Sequence, residues 1–171
     1  GQDPGWDPLA YAIEAAHLQG LEFHAYVNTH VAWQSPDCQP PLSPEHIYYR
    51  HCNAADPKAR DWLIHDKAGD PVQFSSDDYV WLAPGVPACQ AYIRRQVMYV
   101  VHHYDVDGVH FDRIRTPGPQ YSHDPISRAR QEPGSEGNPY DLNFADWTRN
   151  QFTRMLRDLY AQIIAAKPYV T

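Results

Sequence analysis

LEFHAYVN at residues 21–28 and VDGVHFDRIR at residues 106–115 are the two stretches that decide the fold of this chain. Both alternate apolar and polar side chains, and this period of two predicts β-strands. One face of each strand is apolar and carries Leu21, Phe23, Ala25 and Val27 in the first stretch and Val109 and Phe111 in the second. The other face is polar and carries His24, Tyr26, Asn28, His110 and Asp112. Because both faces of a parallel sheet are normally buried, we expect this polar face to line a cavity rather than to lie in water.

Three stretches with helical spacing surround the two strands. The first begins at Asp7 and Pro8, a capping residue followed by a proline suited to the first helical turn, and it ends at Gly20. The second spans residues 87–103, and the third spans about 143–166. Residues 169–171 then predict the start of a further strand. This order of elements is typical of a parallel α/β sheet.

Two long segments without sustained periodicity, residues 29–79 and 113–142, follow the two strands. Most of the 16 prolines lie in or beside these segments, so the loops are long but stiff. Loops of this length inside a compact domain tend to be functional. Both leave from the carboxyl ends of the predicted strands, where parallel sheets bind their ligands.

The element order predicts a parallel α/β fold, and residues 1–171 are expected to form a single partial domain, a slice of a larger α/β barrel. Only two full strands and the beginning of a third are predicted, although the apolar faces of three helices need a larger sheet to pack against. In such a barrel the polar face of the strands lines the lumen. Strand edges left open in the segment are expected to favour self-association.

Composition narrows the functional classes. A formal net charge of −7 argues against binding to a nucleic-acid backbone, and no apolar run reaches the roughly 18–20 residues of a membrane span. The three cysteines, Cys38, Cys52 and Cys89, do not have the spacing of a metal site. Cys38 and Cys52 share one loop, so they either pair in an oxidising compartment or stay free.

Asn28 and Asp112 end their strands, and polar strand ends in a barrel are typical site residues. Arg113 and Arg115 follow Asp112, and their positive charge favours its ionised form, which suits a nucleophile or a base. The alternative is that Asp112 only anchors a loop through an ion pair with these arginines. Glycoside cleavage also needs a second, protonated carboxyl group. The candidates for this proton donor lack a strand-end position and are Asp77, Asp78, Asp124 and Asp141.

Aromatic residues are frequent in and beside the two loops. Flat rings stack on the apolar faces of sugars, so the set favours a polysaccharide ligand, although each ring can instead pin a loop in place. These residues are Trp33, Trp62, Trp81, Tyr48, Tyr49 and Tyr121. We expect the residues that contact substrate to be Asn28, His110, Arg113, Arg115, Tyr26, His24, Trp33 and Trp81.

A metal-dependent hydrolase is the competing chemistry. His110 and Asp112 form an H-x-D pair on one strand face, and His24 lies on the neighbouring strand. Neither H-x-H nor H-E-x-x-H occurs in the chain. The favoured interpretation therefore includes no metal and no other cofactor.

Four ordered segments resemble the glycosyl hydrolase-like 10 family: DPGWDPLAYAIEAAHLQGLEFHAYVN, WLAPGVPACQAYI, YDVDGVHFDRIRTPG and DWTRNQF with IIAAKPYV. The resemblance implies a (β/α)₈ barrel of the TIM-barrel type, of which residues 1–171 would form a central segment. It further implies cleavage of glycan strands of the bacterial envelope, of the peptidoglycan type, in the periplasm or at the cell envelope. It implies Asp112 as the catalytic carboxylate of strand four, with Asn28, His110, Arg113 and Arg115 beside it. Many relatives have a second acid where this chain has Arg113, so the proton donor is unassigned. The alternative to the enzyme is a non-catalytic carbohydrate-binding module.

Overall fold

The computed structural model describes residues 3–171. Helices and short strands alternate along the chain, in an order that places two long connections after two parallel strands. The elements are α1 (Pro8–Leu18), β1 (His24–Asn28), β2 (Val31–Gln34), α2 (Ile47–His51), β3 (Tyr79–Trp81), α3 (Pro87–His103), β4 (Gly108–Asp112), α4 (Pro125–Gln131) and α5 (Phe144–Ala166).

The two strands predicted from alternation pair with each other in parallel. In the register of β1 and β4, Tyr26 lies opposite His110 and Asn28 lies opposite Asp112. The apolar face packs under the helices, where Ala25 contacts Ile13 of α1 and Val106 in a small cluster. The predicted apolar and polar faces are confirmed within β1 and β4, whereas Leu21, expected on the apolar face, precedes β1 and is 62 % exposed.

The three predicted helices form for the reasons that the sequence indicates. The Asp7 side chain accepts hydrogen bonds from the backbone N–H groups of Leu9 and Ala10, and Pro8 begins α1. Gly20 has a positive φ of 70°, which suits a residue that follows a helix end. The Asn143 side chain accepts from the Asp146 N–H and caps α5, whose buried stripe is Trp147, Gln151, Met155, Leu159 and Ile163.

The segment after β1 is more ordered than its lack of periodicity predicts. β2 and β3 pair antiparallel with an irregular register between Val31 and Trp33, and α2 lies between them in the chain. These elements have three to five residues each. A run that short shows no periodicity, so the sequence prediction of an irregular loop was wrong here. The same holds for α4 in the second segment, 113–142.

The predicted strand at 169–171 is reduced to one residue with strand-like bonds. The Thr171 N–H donates to the Asp107 carbonyl at 2.9 Å, and the Val109 N–H donates to the Thr171 carbonyl at 2.8 Å. This pattern is that of a parallel neighbour. Thr171 therefore lies beside β4 on the edge that β1 leaves open.

The main core lies between the β2–β3 sheet, α3 and α5, and includes the buried side chains of Trp81, Val97, Met155 and Leu159. Cys52 and Cys89 are buried free thiols, and Cys38 is exposed and free. No helix in residues 3–171 is both long and apolar enough to cross a membrane.

The polar face of β1 and β4 is open to solvent in this structure. The Tyr26 residue is 60 % exposed, and His24, Asn28 and His110 are exposed as well. The prediction that this face lines an enclosed cavity is thus not met within residues 3–171, because no described element covers that side of the strand pair.

Candidate active site

The site forms where β1 and β4 end together. Asn28 and Asp112 face each other across the strand pair, and Tyr26 and His110 lie one pleat below them. The Tyr26 hydroxyl donates a hydrogen bond to Asp112 Oδ2. The rings of Tyr26 and His110 stack with centroids 5.2 Å apart and an interplanar angle of 10°. Neighbouring strands thus place a carboxylate, an amide and a pair of flat rings on one surface.

Asp112 is held in its ionised form. The hydrogen bond from Tyr26 is the largest influence that lowers its pKa, followed by the backbone N–H of Arg113 and then by the charges of Arg113 and His110. The same hydrogen bond raises the pKa of Tyr26, because an ionised tyrosine has no proton to donate to Asp112, and the negative charge of Asp112 adds a smaller effect. The ionised state matches the sequence prediction, but the Tyr26 hydroxyl lowers the Asp112 pKa more than the charge of Arg113 does.

Thr29 fixes the end of β4 against β1. Its backbone N–H and its Oγ1 both donate to the Asp112 carbonyl at 3.0 Å. These two bonds hold the backbone from which the carboxylate projects. The sequence analysis did not single out Thr29, although a hydroxyl residue directly after a strand is a common source of such bonds.

Arg113 lies between Asp112 and a residue of the second sheet. Its Nε is 3.7 Å from Asp112 Oδ2. Its guanidinium carbon is 4.5 Å from the ring centroid of Tyr79, and its Nη2 donates to the Tyr79 hydroxyl at 3.1 Å. Tyr79 is a site residue that the sequence analysis missed, because nothing in a three-residue strand indicates its distant neighbour.

Arg115 and Trp81 have positions other than those expected. The Arg115 guanidinium lies 4.9 Å from the ring centroid of Trp81, on the side of Asp77 rather than of Asp112. Trp81 is completely buried, and its indole N–H donates to Ser75 Oγ at 2.9 Å and to Asp77 Oδ1 at 3.1 Å. A buried ring offers no face to a sugar, so the predicted substrate contact of Trp81 is wrong. Trp81 instead holds the turn that contains Ser75 and Asp77.

Two of the four candidate proton donors, Asp77 and Asp124, have pKa values shifted in opposite directions. Burial raises the pKa of Asp77, but hydrogen bonds from Ser75 and Trp81 and the charge of Arg115 outweigh burial, so the net pKa is lowered. Burial raises the pKa of Asp124, yet this carboxyl accepts from the Ser127 N–H at 2.8 Å as the cap of α4.

The other two candidates, Asp141 and Asp78, lie in turns of the two long segments. Asp141 accepts from the Gly134 N–H at 2.7 Å. Asp78 has a positive φ of 63° in the turn before β3. Asp124, whose pKa is raised by burial, uses one carboxylate oxygen to cap α4.

His24 lies at the far end of β1 from the group around Asp112, and Trp33 lies on β2. His24 begins β1, about 13 Å along the strand from Asn28, and its Nε2 is 3.1 Å from Glu22 Oε2. The trio of His24, His110 and Asp112 is not assembled, and residues 3–171 contain no group of three or more His, Cys, Asp or Glu side chains placed to hold a metal ion. The Trp33 indole donates to the Gln39 carbonyl at 2.8 Å.

The remaining loop aromatics mostly hold the loops together. Trp62 is buried and stacks on His51 with centroids 3.8 Å apart. Tyr48 is buried, and the Tyr49 hydroxyl donates to the Pro41 carbonyl at 2.6 Å. The exposed rings beside Asp112 are therefore Tyr26 and His110 from the strands.

Comparison with known proteins gives consistent sequence matches. A family model described as glycosyl hydrolase-like 10 matches residues 1–171. The chain is 30 % identical over 170 residues to glycosyl hydrolase YngK of Bacillus subtilis (strain 168), covering 99 % of this chain and 29 % of that protein. It is 29 % identical over 181 residues to glycosyl hydrolase DigH of Escherichia coli (strain K12), covering 99 % of this chain and 36 % of that protein. The chain thus spans about a third of the length of the curated relatives that it matches.

A solved structure shares the fold. The alpha-galactosidase from Lactobacillus brevis matches with a TM-score of 0.54 and 17 % identity, covering 96 % of this chain and 18 % of that chain. At this identity the likeness concerns the arrangement of helices and strands alone.

Proposed function

Because the chain belongs to the glycosyl hydrolase-like 10 family, as its motifs predicted, we propose that it supplies the catalytic carboxylate of a glycoside hydrolase. That carboxylate is Asp112. The observation that carries the proposal is its position at the carboxyl end of β4, where Tyr26 and Arg113 keep it ionised. The proposed architecture of the complete domain is a (β/α)₈ barrel, in which strand ends of this kind form the active site.

The proposed substrate is a glycan strand of the bacterial cell envelope, of the peptidoglycan type, which places the protein in the periplasm or at the envelope. The stacked rings of Tyr26 and His110 offer an exposed flat surface beside Asp112, suited to the apolar face of a sugar ring. The exposed Asn28 amide can donate to and accept from sugar hydroxyls next to them.

In the proposed reaction Asp112 acts as the nucleophile or as the base. An ionised carboxylate stabilises or attacks the positively charged sugar carbon that forms as the glycosidic bond breaks. The leaving oxygen needs a proton from a second carboxyl group. Because YngK and DigH extend well beyond the matched region, we propose that this donor corresponds to a carboxyl group in the unmatched part of those relatives.

The test is Asp112→Asn in the full-length gene product, assayed for release of soluble sugars from isolated peptidoglycan glycan strands. The amide keeps the shape but cannot attack or accept a proton, so turnover is expected to fall at least about a thousandfold. Sedimentation of the protein with the insoluble glycan is expected to be unchanged. Asp37→Asn, in an exposed loop position, is the matched control and should retain activity.

Other results would redirect the assignment. Full turnover in Asp112→Asn would contradict a catalytic role for this residue. A wild-type protein that binds the glycan without cleaving it would favour the carbohydrate-binding module. Turnover lost with a chelator and restored by a divalent metal would favour the metal-dependent hydrolase.

A further inference from the structure

The two arginines that follow β4 lie on two aromatic rings of β3. Arg113 lies 4.5 Å from the ring centroid of Tyr79, and Arg115 lies 4.9 Å from that of Trp81. Both pairs have a spacing of two residues, so alternate side chains of one segment meet alternate side chains of the other. The second sheet thus contacts the segment that carries Asp112 through two neighbouring cation–π pairs.

We propose that Tyr79 is a positioning residue that holds the Arg113 guanidinium beside the Asp112 carboxylate. The inference rests on the proposed function of Asp112 and deepens it. It assigns to the β2–β3 sheet a role in the electrostatics of the active site, besides its role in the core.

Arg113 needs such a support because its own geometry does not fix it. An arginine side chain has many rotamers, and an exposed ion pair alone holds it weakly. The Arg113 backbone has a positive φ of 56°, a left-handed conformation that is costly for a residue with a Cβ. In this conformation the Arg113 side chain contacts Tyr79 and donates to its hydroxyl. The Arg113 Nε has no hydrogen-bond partner.

Tyr79 is itself firmly held. The Ser75 N–H donates to the Tyr79 carbonyl at 3.0 Å. Its ring lies 5.9 Å from that of the buried Trp81. A ring anchored in this way can fix a flexible cation, whereas the reverse is not expected.

The groups that face Asp112 come from three elements. They are Tyr26 from β1, His110 from β4 and Arg113 from the segment after β4, and Arg113 connects Asp112 to Tyr79 of β3. Loss of Tyr79 leaves the first two in place. The expected effect is therefore partial, and it is smaller than the effect of removing the Arg113 charge itself.

The test replaces Tyr79 in the full-length gene product by Leu and, separately, by Val, a strong strand former, so that a folded variant is available. The carboxyl carbon of Asp112 is titrated by NMR, and kcat/KM is measured against pH. Both variants are expected to raise the Asp112 pKa by about half a pH unit, and Arg113→Gln by more. The acid limb of the kcat/KM profile should move to higher pH by the same amount as the Asp112 pKa.

Two controls separate positioning from a merely structural role. Tyr79→Phe keeps the ring and loses one hydrogen bond. The Asp112 pKa in this variant should therefore lie between the values in the wild type and in Tyr79→Leu. Tyr79→Leu in the Arg113→Gln background should cause no further shift, because the two residues act through one contact.

A wild-type Asp112 titration in the folded Leu or Val variant would overturn the proposal. So would a shift that persists undiminished in the Arg113→Gln background. The NMR readout does not depend on turnover. Activity that survives Asp112→Asn would therefore contradict the proposed function and leave the titration to decide the role of Tyr79.

Discussion

At residue 26, a phenol hydroxyl of one strand donates to the carboxylate of the next strand, and both groups stay partly exposed. The hydrogen bond lowers the pKa of Asp112 and raises that of Tyr26. The two shifts are one interaction seen from its two ends, since the bond favours a neutral tyrosine and an ionised aspartate. Tyr26 therefore has two roles in the site: its hydroxyl tunes Asp112, and its ring forms the stacked surface with His110.

Tyr26→Phe separates these roles. The ring stays and the hydrogen bond is lost, so the Asp112 pKa is expected to rise towards its ordinary value of 3.8. The activity of the full-length gene product should then decline at a higher pH on the acid side, with little change in glycan binding. NMR titration of Asp112 checks the shift directly. Tyr140→Phe, at an exposed position, serves as the control, and an equal Asp112 pKa in all three proteins would refute the assignment.

At the scale of elements, α5 carries the longest buried stripe of the chain. Met155, Leu159 and Ile163 pack against the core shared with α3 and the β2–β3 sheet. The same sheet presents Tyr79 and Trp81 to the two arginines after β4. Packing of α5 thus stabilises the platform on which the arginines rest, although the helix itself contributes no charge to Asp112.

Leu159→Ala tests that packing. The side chain is fully buried, so its truncation leaves a cavity and should lower the free energy of unfolding by about 2–5 kcal/mol. The neighbouring Tyr160 is 68 % exposed, and Tyr160→Ala should change it by no more than about 0.5 kcal/mol. Denaturant unfolding monitored by circular dichroism gives both values. Similar losses in the two variants would mean that α5 does not pack as described.

At the scale of the whole molecule, burial of His30 makes stability depend on pH. This histidine is fully buried, and desolvation lowers its pKa to about 3 from an ordinary value of 6.5. Its ring contacts Phe152 of α5 edge-on at 4.7 Å, so it lies between the end of β1 and a helix. The unfolded chain binds a proton below pH 6.5, whereas the folded chain does so only near pH 3. The contribution of neutral His30 is therefore complete above pH 6.5 and is lost as the pH falls towards 3.

His30→Phe should remove this dependence. Below about pH 6.5 the unfolding free energy of the wild type is expected to fall by about 1.4 kcal/mol more per pH unit than that of the variant. Urea unfolding at several pH values between 4 and 7 measures the two slopes. His102→Gln, which changes an exposed histidine of α3, should keep the wild-type slope. Parallel slopes in wild type and His30→Phe would exclude His30 as the cause.

The open surfaces of the molecule are also a property of this scale. Among the described elements β1 is bonded to β4 alone, so its other edge is unpaired. Self-association through that edge stays a prediction, as does the single partial barrel domain. The exposed polar face of β1 and β4 has the same origin, since two paired strands cannot enclose a lumen.

The sequence by itself determined the two parallel strands, their apolar and polar faces, and the three long helices. It also placed Asn28 and Asp112 at adjacent strand ends. Hydrophobic periodicity, helix-capping residues and glycines at helix ends are local signals. Each acts within one or two helical turns or within one strand.

Tertiary structure decided which groups surround Asp112. It paired Tyr26 with the carboxylate, brought Tyr79 to Arg113, buried Trp81 and left His24 at the far end of its strand. The Arg113 and Tyr79 side chains are 34 residues apart in the chain, and a three-residue strand carries too little pattern to indicate the contact. The physical reason is that an ion pair or a cation–π contact depends on distances in space. Only the packing of β3 against the segment after β4 sets these distances.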